Sequence, residues 1–258
     1  MANGKRNASQ AHTRKALPGL SAEGGFTWHP FDLENGVHTS GLIPGRHLKT
    51  GHRHDRHSTA YFGVSPSVFH SLIRRWRRTR PAGPIEDFTF VDAGAGMGRA
   101  MLLAAEMPFR RVIGAELNPI LARIAKKNLA TWRATGRVKA PTRLNCGDII
   151  DFDFPRQPCL VFLFNPFGAT VMRRLLSRLA KTFSSLPGQL DLLYVNNEQE
   201  RTIWLTSGFT RLFEGQVRRS RADAIADHRI MANQPRAEYM AANYEDCSIW
   251  RWTGRGGK

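Results

Sequence analysis

The chain has 258 residues, 41% of them hydrophobic, with 38 Lys+Arg against 21 Asp+Glu for a net charge of +17. That hydrophobic content excludes a chain disordered throughout, and the length suits one large domain or one domain plus an extension. The longest apolar run, Cys159–Phe164, falls far short of the ~20 residues a membrane-spanning helix requires.

Residues 1–25 are small, polar and basic with no apolar period, and read as a mobile tail. The start, Met1–Gln10, lacks the apolar stretch of a secretory signal. Residues 26–86 read as an N-terminal extension. Its first part, Phe26–Gly63, is rich in Gly and His and is expected to be ordered with little regular structure. His47, His52, His54 and His57 lie close together, but no cysteine or helical spacing accompanies them, so a solvated, partly basic loop is expected and no metal. A helix is expected from Ser65 to Thr79, with Ser65 as N-cap, Pro66 in the first turn, and Val68, Phe69, Leu72, Ile73 and Trp76 forming one apolar stripe.

From Phe88 short strand-like runs alternate with longer amphipathic stretches. The expected strands are Phe88–Asp92, Arg111–Glu116, Thr142–Cys146, Leu160–Phe164, Leu190–Val195, Phe209–Val217 and Ser248–Trp252. Helices are expected at Arg99–Met107, Pro119–Trp132 and Thr170–Phe183, the second capped by Asn118. This alternation implies an α/β fold: a seven-stranded, mostly parallel sheet with helices on both faces and an antiparallel last strand. The main domain would span residues 87–258. It would carry an insertion at about 218–246 whose polar sequence, with Arg218, Arg219, Arg221 and Arg229, reads as a flap facing substrate or a solvated loop. Cys146, Cys159 and Cys247 form neither a disulfide framework nor a paired metal motif, and a reducing cytoplasm is the expected compartment.

One segment carries the chemistry. Strand Phe88–Asp92 runs into three alternate glycines, Gly94, Gly96 and Gly98, and then a helix. Such glycines permit positive φ and close approach of a ligand at the carboxyl edge of the strand. A dinucleotide fingerprint would need glycine where Arg99 stands, and a P-loop would need Gly-Lys-Ser/Thr. The pattern present is Asp-x-Gly-x-Gly-x-Gly.

This resembles motif I of the class I S-adenosylmethionine-dependent methyltransferases. The resemblance covers Phe88 to about Trp252. It implies that the loop of Gly94, Gly96 and Gly98 wraps the amino-acid half of the cofactor while Asp92 holds its amino group. Glu116, 18 residues after Gly98, would accept both ribose hydroxyls, with Leu117 beside it. Asp148, in Asn145-Cys146-Gly147-Asp148, would accept from the exocyclic amine of adenine. Asn165-Pro166-Phe167 is similar to the Asn/Asp-Pro-Pro-Tyr/Phe motif of amino-directed enzymes, in which the Asn side chain and the following carbonyl accept from the target amine. Here one Pro is missing and the aromatic comes one position early, which weakens the match to nucleobase-modifying enzymes. Protein-lysine methyltransferases of the same fold offer a second likeness at this place. Tyr61 would fold over the cofactor or pack the extension, and Tyr194-Val195-Asn196-Asn197-Glu198 would lie at the acceptor edge. Residues 31–41, Phe31-Asp32 with Gly36-Val37, Thr39 and Gly41, are similar to a box in an uncharacterised bacterial branch of these enzymes.

The expected activity is therefore methyl transfer from S-adenosylmethionine to a nitrogen of a protein side chain or small molecule. RNA methylation through the basic first 80 residues, which hold +9 of the charge, stays open, as does cofactor binding without catalysis. No membrane is expected as partner. Of the 38 basic residues 30 are Arg, a skew that coding composition alone can produce, so the charge by itself does not name nucleic acid.

Overall fold

A computed structural model of the chain describes residues 28–233 and 239–254, so the expected tail, residues 1–25, lies outside the described residues. The extension contains more regular structure than its composition suggested. It holds a short helix, α1 (Pro30–Asn35), and two two-residue strands, β1 (Leu42–Ile43) and β2 (Tyr61–Phe62), paired antiparallel. Helix α2 (Pro66–Arg78) buries the expected stripe of Val68, Phe69, Leu72, Ile73 and Trp76. Ser65 occupies the N-cap position without making the expected cap bond; its hydroxyl instead donates to Asp227 at 2.5 Å.

The sheet is built from β3 (Thr89–Ala93), β4 (Arg111–Glu116), β5 (Thr142–Cys146), β6 (Cys159–Phe164), β7 (Leu190–Val195), β8 (Phe209–Arg218) and β9 (Tyr244–Trp252), in spatial order β5-β4-β3-β6-β7-β9-β8. All pairings from β5 to β7 are parallel, and β9 runs antiparallel to both its neighbours. The fold is thus the expected seven-stranded α/β sheet with an antiparallel last strand. Covering helices are α3 (Arg99–Ala105), α4 (Pro119–Ala134), α5 (Ala169–Thr182) and α6 (Glu200–Trp204).

Alternation along the strands sends side chains to opposite faces. Leu160 and Phe162 of β6 join Phe69, Trp76 and Phe90 on one face, while Cys159, Val161 and Leu163 join Leu175 and Trp250 on the other. A polar pin also crosses the interior. Asp191 of β7, fully buried, accepts from Trp76 of α2 at 2.8 Å and from Arg251 of β9 at 2.7 and 2.8 Å.

The 218–246 insertion is more regular than its polar sequence suggested. Ser220 caps a twelve-residue helix, α7 (Arg221–Ala232), whose buried face is Asp223, Ala226, Asp227 and Ile230. Two of these four are carboxylates. Asp223 accepts from the backbone of Ser67, and Asp227 pairs with Arg219 at 3.0 Å. A helix whose inner face is acidic shows no apolar period, which is why it reads as solvated sequence.

Candidate functional site

The turn after β3 takes positive φ at all three glycines, 85° at Gly94, 54° at Gly96 and 90° at Gly98. The space these glycines leave is used by the protein. A Cβ on Gly94 would stand 2.6 Å from Cβ of Pro166, and one on Gly96 would collide with the Tyr61 ring. The turn is anchored by the amides of Gly94 and Ala95, which both donate to the Ala115 carbonyl at 3.0 Å.

Beside this turn opens a cleft of about 980 Å³, counting its mouth, lined by Asp92, Gly94, Gly96, Glu116, Leu117, Asp148, Tyr61, Pro166 and Phe167 among others. Gly98 starts α3 behind it and faces Ala125 instead. Asp92 is 3% exposed and accepts no hydrogen bond from any described group. Burial, with the nearby Glu116 charge second, pushes its pKa up to about 8. Glu116 is also buried and its pKa raised by burial, but three backbone amides temper the shift, those of Asn118, Gly96 and Leu117; Asn118 donates to Oε1 at 2.8 Å and Gly96 to Oε2 at 2.7 Å. One carboxylate is thus held by the fold and the other is left without a partner.

Asp148 lies at the far end of the cleft with both oxygens engaged. Oδ1 accepts from the Ile150 amide at 2.9 Å, and Oδ2 meets Nδ1 of His54 at 2.5 Å. His52, His54 and Asp148 offer ligand atoms within 4.8 Å of one another, a grouping the sequence did not suggest because Asp148 is distant in the chain. Yet the second ring nitrogen of His54 lies 2.8 Å from Arg174, so both its nitrogens already have partners in the protein. This arrangement ties the extension to the end of β5 and to α5.

Arg99, met in the sequence only as a departure from a dinucleotide pattern, is 2% exposed and reaches back into the extension. It donates to Thr39 Oγ1 at 2.6 Å, to the Gly63 carbonyl at 3.2 Å and to Ser40 Oγ at 3.2 Å, with Asp32 3.6 Å away. Asp32 in turn accepts from the backbone and hydroxyls of both Thr39 and Ser40 at 2.5–2.6 Å. This explains the 31–41 box: Asp32, Thr39 and Ser40 fold around one buried guanidinium, and Gly36 ends α1 at φ 63°. Tyr61 is buried against the glycine turn and donates to the Thr39 carbonyl at 2.7 Å, so it both lines the cleft and packs the extension.

At the end of β6, Asn165 takes φ 38° and is 7% exposed. The extension meets its loop edge to edge. Thr59 donates through its hydroxyl to the Asn165 carbonyl and through its amide to that of Pro166 at 3.5 Å, and Gly168 donates to the His57 carbonyl at 2.9 Å. Thr59 therefore meets the Pro166 carbonyl, the one that the motif resemblance assigns to a target amine, a contact with no signal in the sequence. Phe167 is buried and bridges Ser58, and Pro166 faces the cleft. Only Asn165 of these three lines a second cavity, of about 1310 Å³ counted in the same way, together with Asn196 and Glu198. Asn165 and Asn196 end adjacent strands, both at positive φ.

No known family pattern and no curated protein matches this sequence. Among solved structures the chain is similar to TrmN from Thermus thermophilus, at 16% identity and a TM-score of 0.46 over 73% of this chain and 49% of that one. An RNA methyltransferase from Salinibacter ruber in complex with S-adenosyl-L-homocysteine matches at 15% identity and a TM-score of 0.44 over 73% and 94%. An rRNA methylase from Streptococcus thermophilus matches at 13% and 0.40 over 65% and 87%. Likenesses of this size do not carry an activity or an acceptor to this chain.

Proposed function

We propose that this chain binds S-adenosylmethionine and transfers its methyl group to a nitrogen of a protein side chain or a small molecule. The observation that carries this reading is Asp92, a buried carboxylate with no protein donor, at the mouth of a glycine turn. An ionised carboxylate is costly to bury alone, so such a site gains most from a cationic ligand. The cofactor fits: its ammonium would answer Asp92, and its ribose diol would find the remaining lone pairs of Glu116, whose backbone donors, Gly96 and Asn118 among them, hold the carboxylate in place. When bound, it supplies an electrophilic methyl on a sulfonium.

Calorimetry with S-adenosylhomocysteine tests the proposal. Asp92→Ala and Glu116→Ala should each weaken binding roughly ten- to hundredfold, the range expected for a charge-assisted hydrogen bond. Absence of binding, or binding indifferent to both changes, defeats it. A second reading, RNA as acceptor, rests on Arg74, Arg77 and Arg78, all exposed along α2. It requires affinity for RNA that falls steeply with salt.

A further inference from the structure

On the basis of that methyltransferase reading, we infer that the second cavity is the acceptor site and that it takes a protonated primary alkylamine, the end of a lysine side chain or of a free polyamine. Thr59, Ala60, Phe62 and Phe164 wall both this cavity and the cofactor cleft, so the two spaces abut.

Its charge runs against that of the molecule. The chain carries +17, yet the described wall holds Glu198, Glu245 and Asp246 and one cation, Arg219. That guanidinium is already answered. Its Nε lies 3.0 Å from Asp227, its terminal nitrogens contact Glu245 and the Ala242 carbonyl, and it donates to the Tyr244 carbonyl at 3.0 Å. A phosphate entering here would find no free cation on the described wall. It would meet Glu198 and Asp246, both exposed at the rim and neither engaged through its side chain with any described group. A cation gains from both carboxylates, and aromatic side chains such as Phe62 and Phe164 suit an alkylammonium.

A separate observation points to a ligand. Asn165 is 7% exposed, its amide nitrogen donates to no described group, and its Oδ1 receives only a long 3.4 Å bond from Tyr194. That leaves Oδ1 with lone-pair capacity for a further donor, which an amine at the seam between the two cavities supplies. For transfer, the ammonium releases one proton to a rim carboxylate. The nitrogen lone pair then forms the N–C bond as the methyl's bond to sulfur breaks, leaving a thioether and an alkylammonium.

The test uses the full chain saturated with S-adenosylhomocysteine, titrated calorimetrically with spermidine, with an acetyl-lysine amide and with an oligoribonucleotide, alongside transfer from labelled S-adenosylmethionine. At least one amine should bind and take label, the two arms separating polyamine from side chain. The double variant Glu198→Gln/Asp246→Asn should weaken amine binding about tenfold, as two partly solvated charges warrant, with affinity for S-adenosylhomocysteine unchanged. Label on RNA with neither amine bound, or amine binding untouched by the double variant, overturns the inference while leaving the cofactor reading intact. Failure to bind S-adenosylhomocysteine removes both.

Discussion

Asp92→Asn should make the unliganded protein more stable at neutral pH while weakening its response to cofactor. The unfolded carboxyl titrates near 3.8, and burial raises it to about 8 in the folded chain. The folded state therefore binds its proton more tightly, and ionising Asp92 works against folding as pH rises from about 4 to about 8. The difference is worth up to ~1.4 kcal/mol per pH unit in that window. At pH 7 the gap spans about three units, an upper figure of about 4 kcal/mol; water entering the open cleft reduces it, leaving about 2–4 kcal/mol. Asparagine keeps the shape of the protonated acid and has no charge to desolvate. For a chain of this size the gain corresponds to roughly 5–10 °C in Tm. The assay is thermal unfolding of both proteins from pH 4 to pH 9, with the variant's advantage plotted against pH so that all other titrating groups cancel. The advantage should be near zero at pH 4, grow toward pH 8 and then level off. S-adenosylhomocysteine should raise the Tm of the natural protein more than that of the variant. An advantage independent of pH, or a variant less stable at pH 7, would refute the argument that Asp92 is an unanswered buried charge.

Two further outcomes concern how the extension is held. Arg99→Met removes the guanidinium 3.6 Å from Asp32, which is buried, and should cost about 3–5 kcal/mol in urea unfolding, with protease cleavage appearing between residues 36 and 60. Gly96→Ala places a methyl group against the Tyr61 ring at a φ of 54° and should cost ~1–3 kcal/mol. Tyr61→Ala in the same chain should recover the part due to collision, and purely additive losses in that double-mutant cycle would show the two are not in contact.

The sheet and its long helices were legible because their buried positions are apolar and periodic. The stripe of α2 from Val68 to Trp76, the Asn118 cap of α4, and β4, β5 and β7 were readable to within a residue or two at their ends. The four strand ends that line the two cavities were readable too, since glycines and carboxylates after apolar runs have few other uses there. What escaped was built from buried polar groups. Helix α7 packs through Asp223 and Asp227, so its inner face has the composition of an outer one. Asp32 and Thr39 lie 67 and 60 residues before Arg99, and no local pattern announces that one buried guanidinium organises them. Ser65 stands where a cap belongs, and only the position of Asp227, 162 residues away, decides that its hydroxyl turns elsewhere.

These polar contacts also bear on where the site begins. Three of the four strand ends that carry the proposed chemistry are met by a residue of the extension: the β3 turn by Tyr61 against Gly96, the end of β5 by His54 on Asp148, and the end of β6 by Thr59 on Asn165. Apolar packing alone would tolerate the extension sliding by a residue, whereas hydrogen bonds to two separate strand ends do not, because a slip leaves buried donors and acceptors unpaired. Residues 48–64 also line the cleft beside Asp92 and Glu116. The pocket is therefore completed by chain that precedes the sheet in sequence, and a fragment beginning at residue 87 would lose one wall of both cavities together with α2, whose Phe69 and Trp76 sit in the core.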